Sequence, residues 1–332
     1  MTTAGPILVT GGAGFIGSHL VDRLVSRGER VIVVDDLSTG SECNLRAARS
    51  AAAERVHFIR ATVSEVARSG LPETPSRVFH LAAAVGVRRV MEQPVQSIET
   101  NIVETSAALR IALQSSAPIL LASSSEVYGK AAKLPFAESD DVVYGPTGVV
   151  RWSYGCAKAL DEWLGLAAWR EHRLPVVVAR IFNTVGPRQI GRWGMVLPRF
   201  VEAALAGHSL EIHGDGLQSR CFADVRDVTR ALDELLWRPE TAGGVFNVGS
   251  DEPITIRALA ERVVRRLNSK SALVHLPYET AYGAGFEDLR ARQPDLTRVR
   301  KAIGFAPRIG LDQTIDDLAR AMQASAAHEE AA

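Results

Sequence analysis

The chain has 332 residues, 46% hydrophobic and 23% charged, which is ordinary for a globular enzyme and long for a single core. Its 38 basic and 38 acidic residues balance, which argues against nucleic acid or an anionic membrane surface as a partner. No apolar run approaches the roughly 18 residues of a membrane span.

The first strand begins so close to Met1 that no signal peptide is expected. Cys43, Cys156 and Cys221 show no C-x-x-C spacing, so reduced thiols, a cytoplasmic location and no bound metal are expected. Residues 6–10 read as a buried strand, followed at once by Gly11-Gly12-Ala13-Gly14-Phe15-Ile16-Gly17 and a helical apolar pattern. In that setting Gly11 permits a tight turn, Gly14 lets backbone approach a pyrophosphate, and Gly17 lets the helix pack on the strand. The helix N-terminus adds free N–H groups and a partial positive charge for the phosphates.

Residues 30–37 read as a second buried strand that ends in Asp35 and Asp36, about 20 residues past the glycines. An acid there binds the adenosine ribose hydroxyls and opposes the 2′-phosphate of NADP, so NAD is the expected cofactor. A third strand at 56–59 leads to Thr62. A fourth at 77–84 carries small residues beyond His80 that allow a cofactor close passage. His80 itself is expected to be structural, since no second catalytic group adjoins it.

Residues 95–113 read as a helix bearing Asn101 and Thr105, preceded by a loop in which Arg88 and Arg89 are expected to be solvated. The next strand, at 119–122, runs into Ser123-Ser124-Ser125-Glu126-Val127-Tyr128-Gly129. About thirty residues later a helix opens with Ser153-Tyr154-Gly155-Cys156-Ala157-Lys158. The i, i+4 spacing puts the Tyr154 phenol and the Lys158 ammonium on one helix face, one turn apart. A nearby ammonium is expected to lower a phenol pKa that is about 10 in free tyrosine. Tyr154 can then take a proton from a sugar hydroxyl while hydride leaves the same carbon. Leu160, Trp163, Leu164 and Ala167 broaden the apolar surface of this helix, and with the 95–113 helix it is expected to form a homodimer seam.

A further strand at 175–183 gives way to loops. Arg180, Arg188, Arg192 and Arg199 fall within twenty residues among glycines and suggest a site for something phosphorylated. Residues 210–222, turning at Gly214-Asp215-Gly216, look like a hairpin whose basic arm carries Arg220. Helices at 227–237 and 256–267 flank a late strand at 245–249. The expected fold is α/β, a Rossmann-type doubly wound parallel sheet with a smaller C-terminal substrate-binding lobe. Its expected divisions are 1–183 for NAD (with returning segments near 222–252), 184–322 mainly for substrate, and a frayed tail at 323–332.

Over roughly residues 6–320 these motifs resemble the extended short-chain dehydrogenase/reductase superfamily, in its nucleotide-sugar epimerase, dehydratase and decarboxylase branch. The resemblance implies Tyr154 as catalytic base, Lys158 as its partner and nicotinamide-ribose anchor, and Ser124 as the hydroxyl bonding the sugar O4. It implies NAD contacts from Gly11, Gly14, Phe15, Ile16, Gly17, Asp35, Asp36, Ser38, Thr39 and Gly40, and from Thr62, Leu81, Ala83 and Thr100. Many relatives place an Asp for the adenine where Thr62 stands. Ser125, Asn183, Arg188, Arg199 and Arg220 are the implied contacts to a UDP-sugar.

Ser124-Ser125-Glu126-Val127-Tyr128-Gly129 is similar to the Thr-Ser-Glu-Val-Tyr-Gly of UDP-glucuronate decarboxylases, and Arg292-Gln293-Pro294-Asp295 to their Arg-x-Pro-Asp. Val150-Arg151-Trp152 resembles the Pro-Arg-Trp approach of the decarboxylase that initiates aminoarabinose synthesis. Two departures are Ser124 for the usual Thr and Glu99 for a Lys of UDP-xylose synthases. The implied reaction oxidises C4 of UDP-glucuronate, loses carbon dioxide from the 4-ketone, and yields UDP-xylose or UDP-4-ketopentose. Glu126 and Arg292 would steer that loss and deliver a proton to C5, directly or through water. A 4-epimerase of UDP-glucuronate or UDP-glucose is the alternative, and a redox-sensing binding protein on the same fold is a third reading.

Overall fold

The computed structural model describes residues 5–84, 87–191, 194–282 and 287–330, without the side chains of 87–89, 282 and 327–330. The side chains of Arg88 and Arg89, and residue Arg192, therefore lie outside the described part. The first half alternates strand and helix: β1 (Ile7–Thr10), α1 (Phe15–Ser26), β2 (Val31–Val34), α2 (Arg46–Ala52), β3 (Val56–Ile59), α3 (Val63–Ser69) and β4 (Arg77–His80). After α4 (Val87–Glu92) and α5 (Pro94–Ser115) come β5 (Ile119–Ser124), α6 (Ser153–His172) and β6 (Val176–Ile181).

The second half is more broken. It runs β7 (Thr184–Val185), α7 (Val196–Leu205), β8 (Leu210–His213), β9 (Ser219–Cys221), β10 (Ala223–Asp224), α8 (Val225–Leu236) and β11 (Gly244–Val248). It closes with β12 (Pro253–Thr255), α9 (Ile256–Arg266), β13 (Leu273–Leu276), α10 (Tyr278–Tyr282), β14 (Ala291–Arg292), α11 (Thr297–Ile303) and α12 (Leu311–Glu330).

Seven parallel strands form the central sheet in the order β3-β2-β1-β4-β5-β6-β11, with Ile7 registered against both Val31 and Arg77. Successive side chains of a strand face opposite ways, so Leu8 and Val9 enter different cores. Val9 packs with Leu20 and Leu24 of α1 and Leu232 and Leu235 of α8. Leu8 packs with Val66 of α3 and with Ala108 and Ile111 of α5. Both faces are thereby covered, which explains why these strands read as continuous apolar runs. Strand order reverses between β1 and β4, and ligands bind beyond the carboxyl ends of the strands at such a switch point. A third cluster joins α7, α9 and α12 over β8 through Phe200, Leu259 and Leu318.

The expected hairpin at 210–222 is not present. β8 pairs in parallel with β13, and β9 pairs with β12 and β14 in a separate sheet. Gly214 and Gly216, both at positive φ, turn the chain out of the plane of β8, and Leu217 N donates to Asp215 Oδ1 within that turn. The result matters for the site, because β14 lies alongside β9 with Arg292 registered against Arg220.

Candidate active site

The glycine turn has the shape a pyrophosphate needs. Gly11 sits at φ 68°, and a Cβ there would lie 2.7 Å from Ala82 N. One on Gly17 would lie 2.1 Å from Gly11 O, so α1 packs on the turn only without side chains. Gly14 caps α1 with no side-chain hydrogen bond, leaving the helix-start amides to an anion. At the end of β2, Asp35 accepts from Ala13 N and Leu37 N, both at 2.9 Å, and burial pushes its carboxyl pKa up.

A cleft of about 620 Å³ runs from this turn across the sheet edge. Its walls include the expected cofactor residues Gly11, Gly14, Phe15, Ile16, Gly17, Asp35, Asp36, Ser38, Thr39, Thr62, Leu81, Ala83 and Thr100. Gly40 is not part of the wall; it packs behind Asp35, where a Cβ would lie 3.0 Å from Oδ1. Thr62 borders the cleft but is committed to a capping box with Glu65 at the start of α3. His80 is buried, hydrogen-bonded by Thr10 and Thr105, and lowered to about pKa 3 by burial and then by Lys158, so it stays neutral and structural.

Beyond β5 the same cleft reaches Ser124, Ser125, Glu126, Arg151, Tyr154, Asn183, Arg220 and Arg292. Ser124 bonds the Tyr154 phenol, and Ser124 Oγ also accepts from Glu126 N at 3.2 Å. Lys158 is buried, and its ammonium donates to Asp161 Oδ2 at 2.8 Å. The expected lowering of the phenol by Lys158 is therefore not found. Burial first, then the Glu126 carboxylate, raise the Tyr154 pKa, while the lysine charge is matched by Asp161.

Glu126 is held by two arginines. Arg292 Nη1 lies 2.5 Å from Oε1, and Arg151 Nη1 lies 2.8 Å from Oε2. Burial would raise this carboxyl, but Arg292 and then Arg151 bring it down to about pKa 2. It is ionised at neutral pH and cannot itself donate a proton to C5. With Arg220 and Asp288 beside them, three cations and two anions leave one net positive charge facing the cleft, suited to a carboxylate on the substrate. Arg292 is 5% exposed rather than a surface residue; its Nη2 also lies 4.0 Å from Asp288 Oδ1, and its Nε is buried and unpartnered among the described residues.

Not all the arginines expected to meet a phosphate border the cleft. Arg180 is buried against Glu162 at 2.7 Å, and Arg188 pairs with Asp22 of α1 at 2.6 Å, away from the cleft wall. Arg199 and Arg220 do border the cleft. Arg220 bonds Asp288 at 2.7 Å, and Asn183 Nδ2 donates to Cys221 O at 3.4 Å.

Three side chains that contact the candidate site were given no place in it by the sequence reading. Asp161 carried a usable signal, since an acid three residues past Lys158 shares its helix face. Arg151 stood out only as part of Val150-Arg151-Trp152, and nothing local shows its pairing with Glu126, or that of Asp288 with Arg220, 25 and 68 residues away.

A glycine cradle at a switch point, opening onto a hydroxyl and a phenol with the Lys158 ammonium buried one helical turn behind the phenol, defines a dinucleotide-dependent enzyme that acts on a hydroxylated anionic substrate. The chain matches the NAD dependent epimerase/dehydratase family over residues 7–249 and belongs to that family. It is 38% identical to the UDP-N-acetyl-alpha-D-glucosaminuronate decarboxylase of Bacillus cytotoxicus, with 93% of this chain and 95% of that one covered. It is 36% identical to UDP-glucuronic acid decarboxylase 6 of Arabidopsis thaliana, covering 92% and 85%. The UDP-glucose 4-epimerase of Thermotoga maritima, solved with UDP-glucose, matches at a TM-score of 0.86 and 29% identity over 97% and 99% of the two chains.

Proposed function

We propose that the protein decarboxylates UDP-glucuronate through a 4-keto sugar, giving UDP-xylose, UDP-4-ketopentose or both. The observation that carries this reading is the Glu126 carboxylate clamped between Arg151 and Arg292 at the substrate end of the cleft. A 4-epimerase of UDP-glucose has no use for a cationic patch facing C6; a 4-epimerase of UDP-glucuronate would share it, and only the release of carbon dioxide separates that enzyme from a decarboxylase.

Held by the Gly11–Gly17 turn and Asp35, NAD would supply a hydride acceptor for C4 and the hydride for its later reduction. Tyr154 would accept the C4 hydroxyl proton as the phenolate, the form that burial and Glu126 disfavour and that a cationic nicotinamide beside it would favour; Ser124, which bonds the phenol, is placed to bond the same sugar oxygen. The ketone so formed is β to the C6 carboxylate, so the C5–C6 bond breaks with its electrons passing to an enolate. Arg292 holds the carboxylate before it leaves, while the enolate charge, which falls on O4, is met by the Ser124 hydroxyl and the protonated Tyr154 phenol. With Glu126 ionised, the C5 proton comes through water oriented by that carboxylate.

The B. cytotoxicus relative is named for a 2-acetamido uronate, which shares the C4 hydroxyl and C6 carboxylate. That substrate is the second reading, and incubation of each sugar nucleotide with NAD, followed by mass spectrometry, separates the two. Val103, Leu160, Trp163 and Leu164 stand 51%, 39%, 58% and 39% exposed on α5 and α6, which supports a homodimer through these helices. Free thiols at Cys43, Cys156 and Cys221 support a cytoplasmic location. No described helix is long and apolar enough to cross a membrane.

A further inference from the structure

The adenosine end of the cleft lacks an obvious partner for the base. It lies beyond β2 and β3, where Asp35 spends both carboxylate oxygens on the amides of Ala13 and Leu37. Asp36 is exposed and turns Oδ1 onto Ser38 N. Thr62 Oγ1 already accepts from Glu65 N and donates to Glu65 Oε2. Asp35 and Thr62 are thereby engaged by their own chain, and Asp36 keeps lone pairs but is exposed, whereas an exocyclic amine is best met by a buried acceptor in the plane of the base.

Glu104 supplies one from the opposite wall. Gln96, Thr100 and Glu104 follow one another at i, i+4 and i+8 on α5, and all three border the cleft. Glu104 is 9% exposed, and its Oε2 accepts from Ser64 N at 3.0 Å, which fixes the carboxylate beside Thr62 and Val63 at the start of α3. A single backbone amide uses one of about four lone-pair positions on a carboxylate, so acceptor capacity remains toward the cleft.

We propose that Glu104 accepts the 6-amino group of the cofactor's adenine, making it a cofactor-selecting residue of this chain. The inference rests on NAD as the cofactor. It differs from a purely structural bridge between α5 and α3, which would hold the wall together without reading the base.

The test compares binding of NAD with nicotinamide hypoxanthine dinucleotide, in which an oxygen acceptor replaces the amino group, by isothermal titration of the whole chain. The wild type is expected to bind NAD at least about tenfold more tightly, the scale of a hydrogen bond to a charged group. Glu104→Gln keeps the shape and can donate to the oxygen, so the two affinities should come within about threefold. Glu104→Asp, which withdraws the carboxylate by one methylene, should narrow the ratio as well and serves if the glutamine variant fails to fold. An unchanged ratio in a folded variant, even with both ligands weakened, overturns the inference in favour of the structural bridge. Equal binding of both dinucleotides by the wild type also overturns it. Failure of the wild type to bind either one defeats the cofactor assignment itself, and the inference with it.

Discussion

Arg292 Nη1 lies 2.5 Å from Glu126 Oε1, although 166 residues separate them in the chain. β14 places the arginine and the turn after β5 places the acid, and the two meet inside the cleft. Arg292→Ala and Glu126→Ala should each keep NAD binding while carbon dioxide release falls about 10²-fold or more, the scale of a positioned catalytic group. Arg292→Lys should recover only part of it, because a point charge cannot copy a planar fork. Isotope-labelled C6 release alongside NAD titration reads both quantities, and normal release from Arg292→Ala would remove the arginine from the chemistry.

The same clamp has a signature in stability. The Glu126 carboxyl lies at about 2 against an ordinary 4.5, so the folded state favours its ionised form. That contribution, about 3 kcal/mol, is fully present above pH 4.5 and disappears as pH falls toward 2. Urea unfolding of the wild type should therefore weaken over this window more steeply than that of Glu126→Gln. Parallel curves would mean the clamp does not hold in solution.

Tyr154→Phe should lower turnover by about 10²–10⁴ while substrate still binds. Near-normal turnover would assign the base to another group. Asp161→Asn removes a negative charge that raises the phenol and releases Lys158 toward it. The acid limb of the rate profile should move to lower pH, since the phenolate then forms more readily. A limb that stays put would confine Asp161 to packing.

Much of this was legible in the sequence because it is local. The glycine turn, the acid of β2 and the Tyr154–Lys158 spacing each lie within one strand–turn–helix unit, and all seven sheet strands read as apolar runs. What escaped was non-local pairing. Nothing near residue 214 shows that β8 and β9 join different sheets, and nothing near Arg180 or Arg188 shows that Glu162 and Asp22 engage them. The Tyr154 pKa went the other way for a similar reason: a lysine's effect depends on its own counter-ion, here Asp161.

Asp35 should make NAD bind more tightly than NADP, because a 2′-phosphate would meet its carboxylate. Parallel titrations check this directly, and tighter NADP binding would contradict the assignment.

Trp163→Glu, on the exposed face of α6, should convert a dimer into a species near 35.8 kDa. Sedimentation equilibrium of the wild type at micromolar concentration must first show twice that mass; a monomer there refutes the seam.

The central claim is decarboxylation, and the most direct measurement is the fate of C6. Wild-type protein incubated with NAD and UDP-glucuronate labelled at C6 should release labelled carbon dioxide and leave a UDP-pentose or its 4-ketone. Formation of UDP-galacturonate with the label retained would contradict the account and make the protein a 4-epimerase.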